Sequence, residues 1–364
     1  MKNSRRTWLK QTTLAMAGIS LAPLNNFGIP VVQMEPGNET IRLSSNENPY
    51  GPSPLARKAM ADAINISNRY QWGLSAELVS AIAAKNNVTV NNVITGAGST
   101  EMLDLVVQFL ALKKGSFVLA DLSFSPWSRS AEKFGLQKIV VPLTARKEYD
   151  FAAMLAAIRT DTTMVHICNP NNPTGVLSDR ERLLSFVNEA SKRSIVLVDE
   201  AYLDYTNQDS LSSLVNENPN LVIVKTFSKI FGMAGARLGY LLAHPTMIAQ
   251  LAPMRTWTNG AMSAATLAGG LASLKDNAFT DLSSRKNDEA RKYTMENMEK
   301  LGIPCIPSST NFIYFSLAGY NKDFFGQLQK NNIIGTRIFE ENGKWSRITI
   351  GTLVEMQLFI SAIS

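Results

Sequence analysis

The sequence predicts an α/β fold, with a mostly parallel sheet covered by helices on both faces over residues 55–250 and a smaller α+β domain over residues 251–364. Two patterns predict it. From Ala56 onward, short apolar runs of strand length alternate with helical periodicities, as expected of parallel strands joined by helical crossovers. Beyond Pro253 the texture changes to one long charged helix followed by strand-like segments. With 364 residues, 45% hydrophobic and 18% charged, the chain can bury a large core, which excludes a disordered chain or a small disulfide-stapled scaffold.

Taken in order, residues 1–26 read as an address. Ser4-Arg-Arg-Thr-Trp-Leu9 precedes a weakly apolar stretch, Leu14 to Leu24, and the pair Arg5-Arg6 in this setting resembles a twin-arginine export signal. It implies passage through the twin-arginine translocase and a periplasmic or exported location. Ser20-Leu-Ala22 has the small-x-small form of a cleavage site, but Pro23 follows it, so a retained membrane tether is a second expectation. The stretch is shorter than the roughly 20 apolar residues of a spanning helix, and no later segment reaches that length. Residues 27–54, rich in Asn, Pro and Gly, read as an extended arm.

The strand-length runs are Phe117–Ala120, Lys138–Val141, Met164–Cys168, Ile195–Val198, Leu221–Lys225 and Gly239–Ala243. Helical periodicity covers Thr100–Leu112 and Leu177–Arg193, the second opening on Ser178-Asp-Arg-Glu181 with the spacing of a capping box. In the smaller domain a helix is expected over Asp281–Leu301 and strands over Asn311–Ser316, Ile333–Phe339 and Arg347–Gly351.

Charge narrows the function classes. The net charge is +6, and Lys2, Arg5, Arg6 and Lys10 lie in a first segment without acids, so setting that segment aside lowers it by four to +2. No basic patch interleaved with aromatics is present, which gives no support to a nucleic-acid partner. Only two histidines, His166 and His244, occur, so a multi-histidine metal site is excluded and no metal is expected; Cys168 and Cys305 read as separate small residues.

Ligand groups of an open parallel sheet gather where strands end. Three strand ends here carry unusual polar residues. Val165–Cys168 runs into Asn169-Pro-Asn-Asn-Pro-Thr-Gly175; Ile195–Val198 into Asp199-Glu-Ala-Tyr202; Leu221–Lys225 into Thr226-Phe-Ser-Lys229, followed by Arg237. Any one of these reads equally as a turn, a helix cap or a solvated lysine. Their order and spacing together do not: Asp199 lies 27 residues after Asn172, Lys229 thirty after Asp199, and Arg237 eight after Lys229.

With Asn46-Glu-Asn-Pro-Tyr-Gly51 and Arg347-Ile-Thr-Ile-Gly351, these motifs resemble the fold-type I, class I/II aminotransferases that use pyridoxal phosphate, and within them the histidinol-phosphate aminotransferase branch. The resemblance covers about residues 40–355. It implies a seven-stranded large domain, pyridoxal phosphate as cofactor, and transfer of an amino group from an L-amino acid to a 2-oxo acid or a histidinol-phosphate-like acceptor. On this reading Lys229 holds the cofactor covalently and carries the proton, since a buried amine sheds its charge cheaply. Asp199 faces the ring nitrogen, Asn172 and Tyr202 the phenolic oxygen, and Phe124 stacks on the ring. Gly96-Ala-Gly-Ser-Thr100 opens a helix, so Ala97, Gly98 and Ser99 offer amides to the phosphate, completed by Thr226, Ser228 and Arg237. Tyr70 corresponds to a tyrosine reaching the same phosphate across a homodimer interface.

Arg347 is implied as the fork for the substrate carboxylate, with Tyr50 and Arg337 toward the distal part of the substrate. The cofactor residues alone leave two alternatives open: a decarboxylase or lyase of the same fold, and a protein that binds the cofactor without turnover.

Overall fold

The computed structural model describes residues 40–259 and 262–364, so the expected export signal and the first part of the arm lie outside the described residues. In chain order its strands are β1 (Ile41–Arg42), β2 (Val93–Gly96), β3 (Ser116–Ala120), β4 (Gln137–Val141), β5 (Thr162–Cys168), β6 (Ile195–Asp199), β7 (Leu221–Thr226) and β8 (Gly239–Ala243). They continue as β9 (Cys305–Ile306), β10 (Phe312–Ser316), β11 (Ile333–Ile334), β12 (Ile338–Glu340) and β13 (Trp345–Thr349).

Seven strands form the large sheet in the order β2-β8-β7-β6-β5-β3-β4. Only β8 runs antiparallel to its neighbours. Its strands are apolar at consecutive positions because both faces are covered. Alternate side chains go to opposite faces: Val196 and Val198 join a core with helices Trp72–Lys85 and Arg180–Ala190, whereas Ile195 and Leu197 pack with helix Ser99–Ala111. The edge strand β4 leaves Gln137 and Lys138 exposed, polar cover suited to an unpaired edge. The expected α/β class and seven-stranded, mostly parallel sheet are therefore present.

The smaller sheet is antiparallel, ordered β12-β13-β10-β9, and packs Ile313, Phe315 and Ile348 against Met298 of helix Asn277–Lys300 and Phe359 of helix Leu353–Ile363. Three expectations need correction here. The single strand over Ile333–Phe339 is two short strands, because Gly335 brings the backbone against Leu328 and breaks the run; β11 pairs with β1 instead. The capping residue of helix Arg180–Ala190 is Asp179, which accepts from the Arg182 amide at 2.9 Å, while the Ser178 amide donates to Asn169 Oδ1 at 2.8 Å. The long helix begins at Asn277, four residues before the expected Asp281, because Asp276 caps it. Cys168 and Cys305 are both free. Among the described residues no helix is long and apolar enough to cross a membrane and no cluster could hold a metal ion.

His166 on β5 is fully buried, with its ring 4.9 Å from Trp127 and neither ring nitrogen hydrogen-bonded. Burial pushes its pKa down to about 3 from 6.5. The folded state thus holds His166 neutral while the unfolded chain protonates it below pH 6.5, and stability is lost as pH falls through that window. His166→Phe, which fills the site without a titrating group, is expected to move the acid-unfolding midpoint to lower pH, read by tryptophan fluorescence.

Candidate active site

The loops that follow β6 and β7 border a cleft of about 350 Å³ that includes Asp199, Tyr202, Lys229, Phe124, Ser228 and Arg237; Asn172, in the loop after β5, and Arg347 do not line it but reach it through Tyr202, which Asn172 contacts. The parallel register puts Cys168 opposite Asp199 and Asp199 opposite Val224, so the strand-end motifs converge although far apart in sequence.

Lys229 stands three residues beyond the end of β7. Its ammonium donates to the carbonyls of Asn46 at 3.2 Å and Ser45 at 3.4 Å and lies 5.3 Å from the Tyr202 ring centroid. Burial, then the positive charge of Arg347, pushes its pKa down to about 8, against the pull of Asp199 and Glu47. An amine so placed sheds its proton near neutral pH, as a nucleophile and proton carrier must.

Asp199, the last residue of β6, is 2% exposed and accepts from the Ala201 amide at 3.0 Å. Burial pushes its pKa up to about 6; the Ala201 amide and the Lys229 charge oppose that rise. A cationic ring nitrogen set against the carboxylate would add to the side that keeps it ionised.

The Tyr202 oxygen accepts from Asn46 Nδ2 at 3.0 Å and Asn172 Nδ2 at 3.4 Å, leaving its own hydrogen for an acceptor in the cleft. Burial raises its pKa, so the phenol stays protonated.

Of the residues expected to offer amides to the phosphate, only Ser99 lines the cleft. The Ala97 amide donates to Glu101 Oε2 and the Gly98 amide to the Gly96 carbonyl at 2.8 Å, and neither residue lines the cleft. Ser99 and Thr100, which open helix Ser99–Ala111, do line it. A helix N-terminus presents free amides and a positive dipole end to an anion. Thr100, which the sequence reading did not single out, lines the cleft beside Ser99, whereas Ala97 and Gly98 lie behind it in the turn that leads into the helix. Gly98 has φ 86°, and a Cβ there would collide with the Arg237 guanidinium, so glycine is required on both counts. Arg237 donates to the carbonyls of Ala234 at 3.0 Å and Ala97 at 3.2 Å, and Thr226 Oγ1 donates to Ser228 Oγ at 3.0 Å.

Arg347 on β13 donates to Asn172 Oδ1 at 2.6 Å and to the Ser44 carbonyl at 2.7 Å, while its Nε is buried without a partner. An unmet guanidinium N–H is a site for a carboxylate oxygen. Its guanidinium carbon lies 5.4 Å from the Phe339 ring, as does that of the exposed Arg337.

Tyr50 and Tyr70 are not among the residues lining this cleft. Tyr50 packs against Lys286, 5.0 Å from its ring. Tyr70 is 71% exposed, stacked on Trp72 at 5.4 Å and edge-on to Trp257 at 5.8 Å.

Sequence reading also gave Asn46 no role, yet it organises the site. It has φ 54°, takes its amide to Thr349 Oγ1 at 2.9 Å, its side chain to Tyr202, and its carbonyl to Lys229 and Asn311. The available signal was an asparagine in a turn-dense segment, a residue type that tolerates the left-handed region.

An amine of lowered pKa, a buried carboxylate, an aromatic face at Phe124 and a helix-end cradle with Arg237 fit an aromatic aldehyde phosphate; the Gly98 cradle and the orphaned Arg347 Nε argue for a bound anion at each end. The comparisons agree. The family model described as aminotransferase class I and II matches residues 38–363. A histidinol-phosphate aminotransferase of Moorella thermoacetica is 36% identical over 92% of this chain and 88% of its own length, and one of Shouchella clausii 35% identical over 90% of each. The crystal structure of a histidinol-phosphate aminotransferase from Sinorhizobium meliloti in complex with pyridoxal-5'-phosphate is 25% identical, with a TM-score of 0.81 over 94% of this chain and 98% of that one. With its seven-stranded sheet, its lysine beyond β7 and these relatives, the chain belongs to the class I and II aminotransferases and is a pyridoxal-phosphate-dependent transaminase.

Proposed function

We propose that this aminotransferase exchanges an amino group between an L-amino acid and a 2-oxo acid or a histidinol-phosphate-like acceptor. The observation that carries the reading is the Arg347 guanidinium, whose unpartnered Nε and proximity to Asn172 suit a substrate carboxylate beside Lys229. Arg337, at the same Phe339 ring, offers a second cation for a distal anionic group. The names of the curated relatives support a phosphorylated amine as one partner.

Pyridoxal phosphate, when bound, supplies an aldehyde that takes up the amino group and a ring that accepts the electrons released at the substrate Cα. The protein does the rest. Asp199 would hold positive charge at the ring nitrogen, Tyr202 and Asn172 would hydrogen-bond the phenolic oxygen, and Phe124 would stack on the ring. Ser99, Thr100, Ser228 and Arg237 hold the phosphate. Lys229 would hold the cofactor covalently and, as an amine of lowered pKa, would be the group that carries the proton at the substrate Cα. Arg347 would hold the substrate carboxylate and so set which bond at Cα is presented to the cofactor.

The same proposal includes a homodimer in which the exposed Tyr70 reaches the partner's phosphate, and export of the folded, loaded protein through the twin-arginine translocase to the periplasm, with Arg5-Arg6 as the recognition pair. A cofactor acquired before crossing requires a protein already folded. Loss of export on changing Arg5-Arg6 to Lys-Lys is expected, and unaltered export would remove that part.

Single half-reactions test the chemistry. L-Glutamate and L-histidinol phosphate are each mixed with the loaded enzyme, and bleaching of the visible cofactor band is followed. Rapid bleaching by both supports the substrate pair; bleaching by neither overturns it. Arg347→Lys is expected to lower kcat/KM for glutamate by about 10- to 100-fold, the worth of a charge-assisted pair, because lysine keeps the charge but loses the fork.

A further inference from the structure

Glu101 lies in the first turn of helix Ser99–Ala111, beside the proposed phosphate cradle, and its two carboxylate oxygens are spoken for. Oε2 accepts from the Ala97 amide, and Oε1 from Arg255 NH2 at 2.7 Å. Arg255 is almost wholly enclosed, its side chain 10% exposed, and its other terminal nitrogen donates to the carbonyls of Thr95 and Thr258, each at 2.7 Å. Asn259 Oδ1 completes the attachment by accepting from the Thr95 amide at 2.7 Å.

Ala97 is therefore gripped at both ends of its peptide: its amide by Glu101, its carbonyl by Arg237 at 3.2 Å. That grip fixes the turn which aims the amides of Ser99 and Thr100 into the cleft. It also creates a conflict, since a carboxylate one residue from Thr100 repels a phosphate that carries close to two negative charges at neutral pH. Its position near the helix N-terminus stabilises the carboxylate but does nothing to hide it from the ligand. Arg255, which does not line the cleft, cancels that charge through its bond to Oε1.

We infer that Arg255 is a positioning residue for the cofactor phosphate: it neutralises Glu101, so that the carboxylate can shape the Gly96–Thr100 turn without repelling the anion the turn receives. This inference rests on the cradle being the phosphate site. It concerns ground-state affinity for the phosphate, and the chemistry at Lys229 is not its readout.

The test compares pyridoxal phosphate with pyridoxal, which lacks the phosphate, on the full-length protein stripped of cofactor, with dissociation constants read from quenching of tryptophan fluorescence. In Arg255→Met the constant for pyridoxal phosphate is expected to rise about tenfold or more while that for pyridoxal changes less than about twofold, and the rise shrinks at 1 M salt as screening predicts. Adding Glu101→Gln, which keeps an acceptor for the Ala97 amide but removes the charge, recovers most of the loss. Arg255→Gln, which drops the charge but keeps donors for the Thr95 and Thr258 carbonyls, serves if the methionine variant does not fold, and the same selective loss is expected. Equal weakening of both ligands, or a double variant no better than the single one, overturns the inference. Wild-type protein binding both ligands alike would instead overturn the phosphate cradle itself.

Discussion

Replacing Lys229 with alanine is expected to lower turnover by at least about 10⁴-fold, the upper range for a positioned proton carrier, because the same side chain also provides the covalent attachment. Two assays separate these tasks. Mixed with pyridoxal phosphate and borohydride, the wild-type chain should carry a stable label on Lys229 and the variant none. Stopped-flow with a single dose of amino acid should show that the variant, even with cofactor supplied in solution, fails to move the Cα proton. The Lys229 environment makes the sharper prediction: with its pKa pushed down to about 8 by burial and by Arg347, the free amine of the cofactor-free protein is expected to react with the aldehyde more readily as pH rises from 7 to 9. A flat profile over that range would mean that the amine is already deprotonated or is governed by another group. Native near-ultraviolet circular dichroism of the variant would show that lost activity is not lost structure.

Asp199→Asn is expected to cost about 10²-fold or more in kcat, since an amide cannot hold positive charge on the ring nitrogen, while making the cofactor-free protein more stable. The second effect follows from the direction of the pKa shift. Asp199 has an ordinary value of 3.8 and sits at about 6 in the fold, so between these values the folded state binds the extra proton and the unfolded chain does not. Its contribution is present below pH 4 and lost as pH rises through 6, about 3 kcal/mol for a two-unit shift. At pH 7 the asparagine variant avoids that loss and is expected to unfold at higher denaturant, with the difference from wild type closing below pH 4. Equal stability of the two proteins at pH 7 would show that Asp199 is already relieved in the cofactor-free protein. A residue that weakens the fold in order to act on the cofactor is the kind of trade expected at an active site.

The residues the sequence placed together in the cleft, Asp199, Tyr202, Ser228, Lys229 and Arg237, all follow continuously apolar strands, whose ends are visible in sequence and whose neighbours are fixed by the parallel sheet. What it misplaced depends on local geometry. Ala97 and Gly98 look like anion donors because they belong to a glycine-rich turn, but their amides are consumed by Glu101 and Gly96, and no spacing rule says which amides a turn spends on itself. Thr100 was passed over for the same reason. The run Ile333–Phe339 kept the apolar look of one strand across a break at Gly335. Strand β2, Val93–Gly96, was not singled out, and its place beside β8 is a matter of tertiary pairing. Asn46 was invisible in role because every partner that gives it one lies more than 150 residues downstream.

That separation has a consequence for how the protein is made. Asn46 meets Thr349, and the Ser44 carbonyl meets Arg347, each across 303 positions. At roughly 5–20 residues per second, a ribosome needs about 15–60 s to travel between them. A nascent chain interrupted before β13 already contains Lys229 but lacks Thr349 and Arg347, the two residues that tie down the Ser44–Asn46 segment whose carbonyl meets that lysine. The segment over Lys229 is therefore secured only after the C-terminal strand β13 has been made.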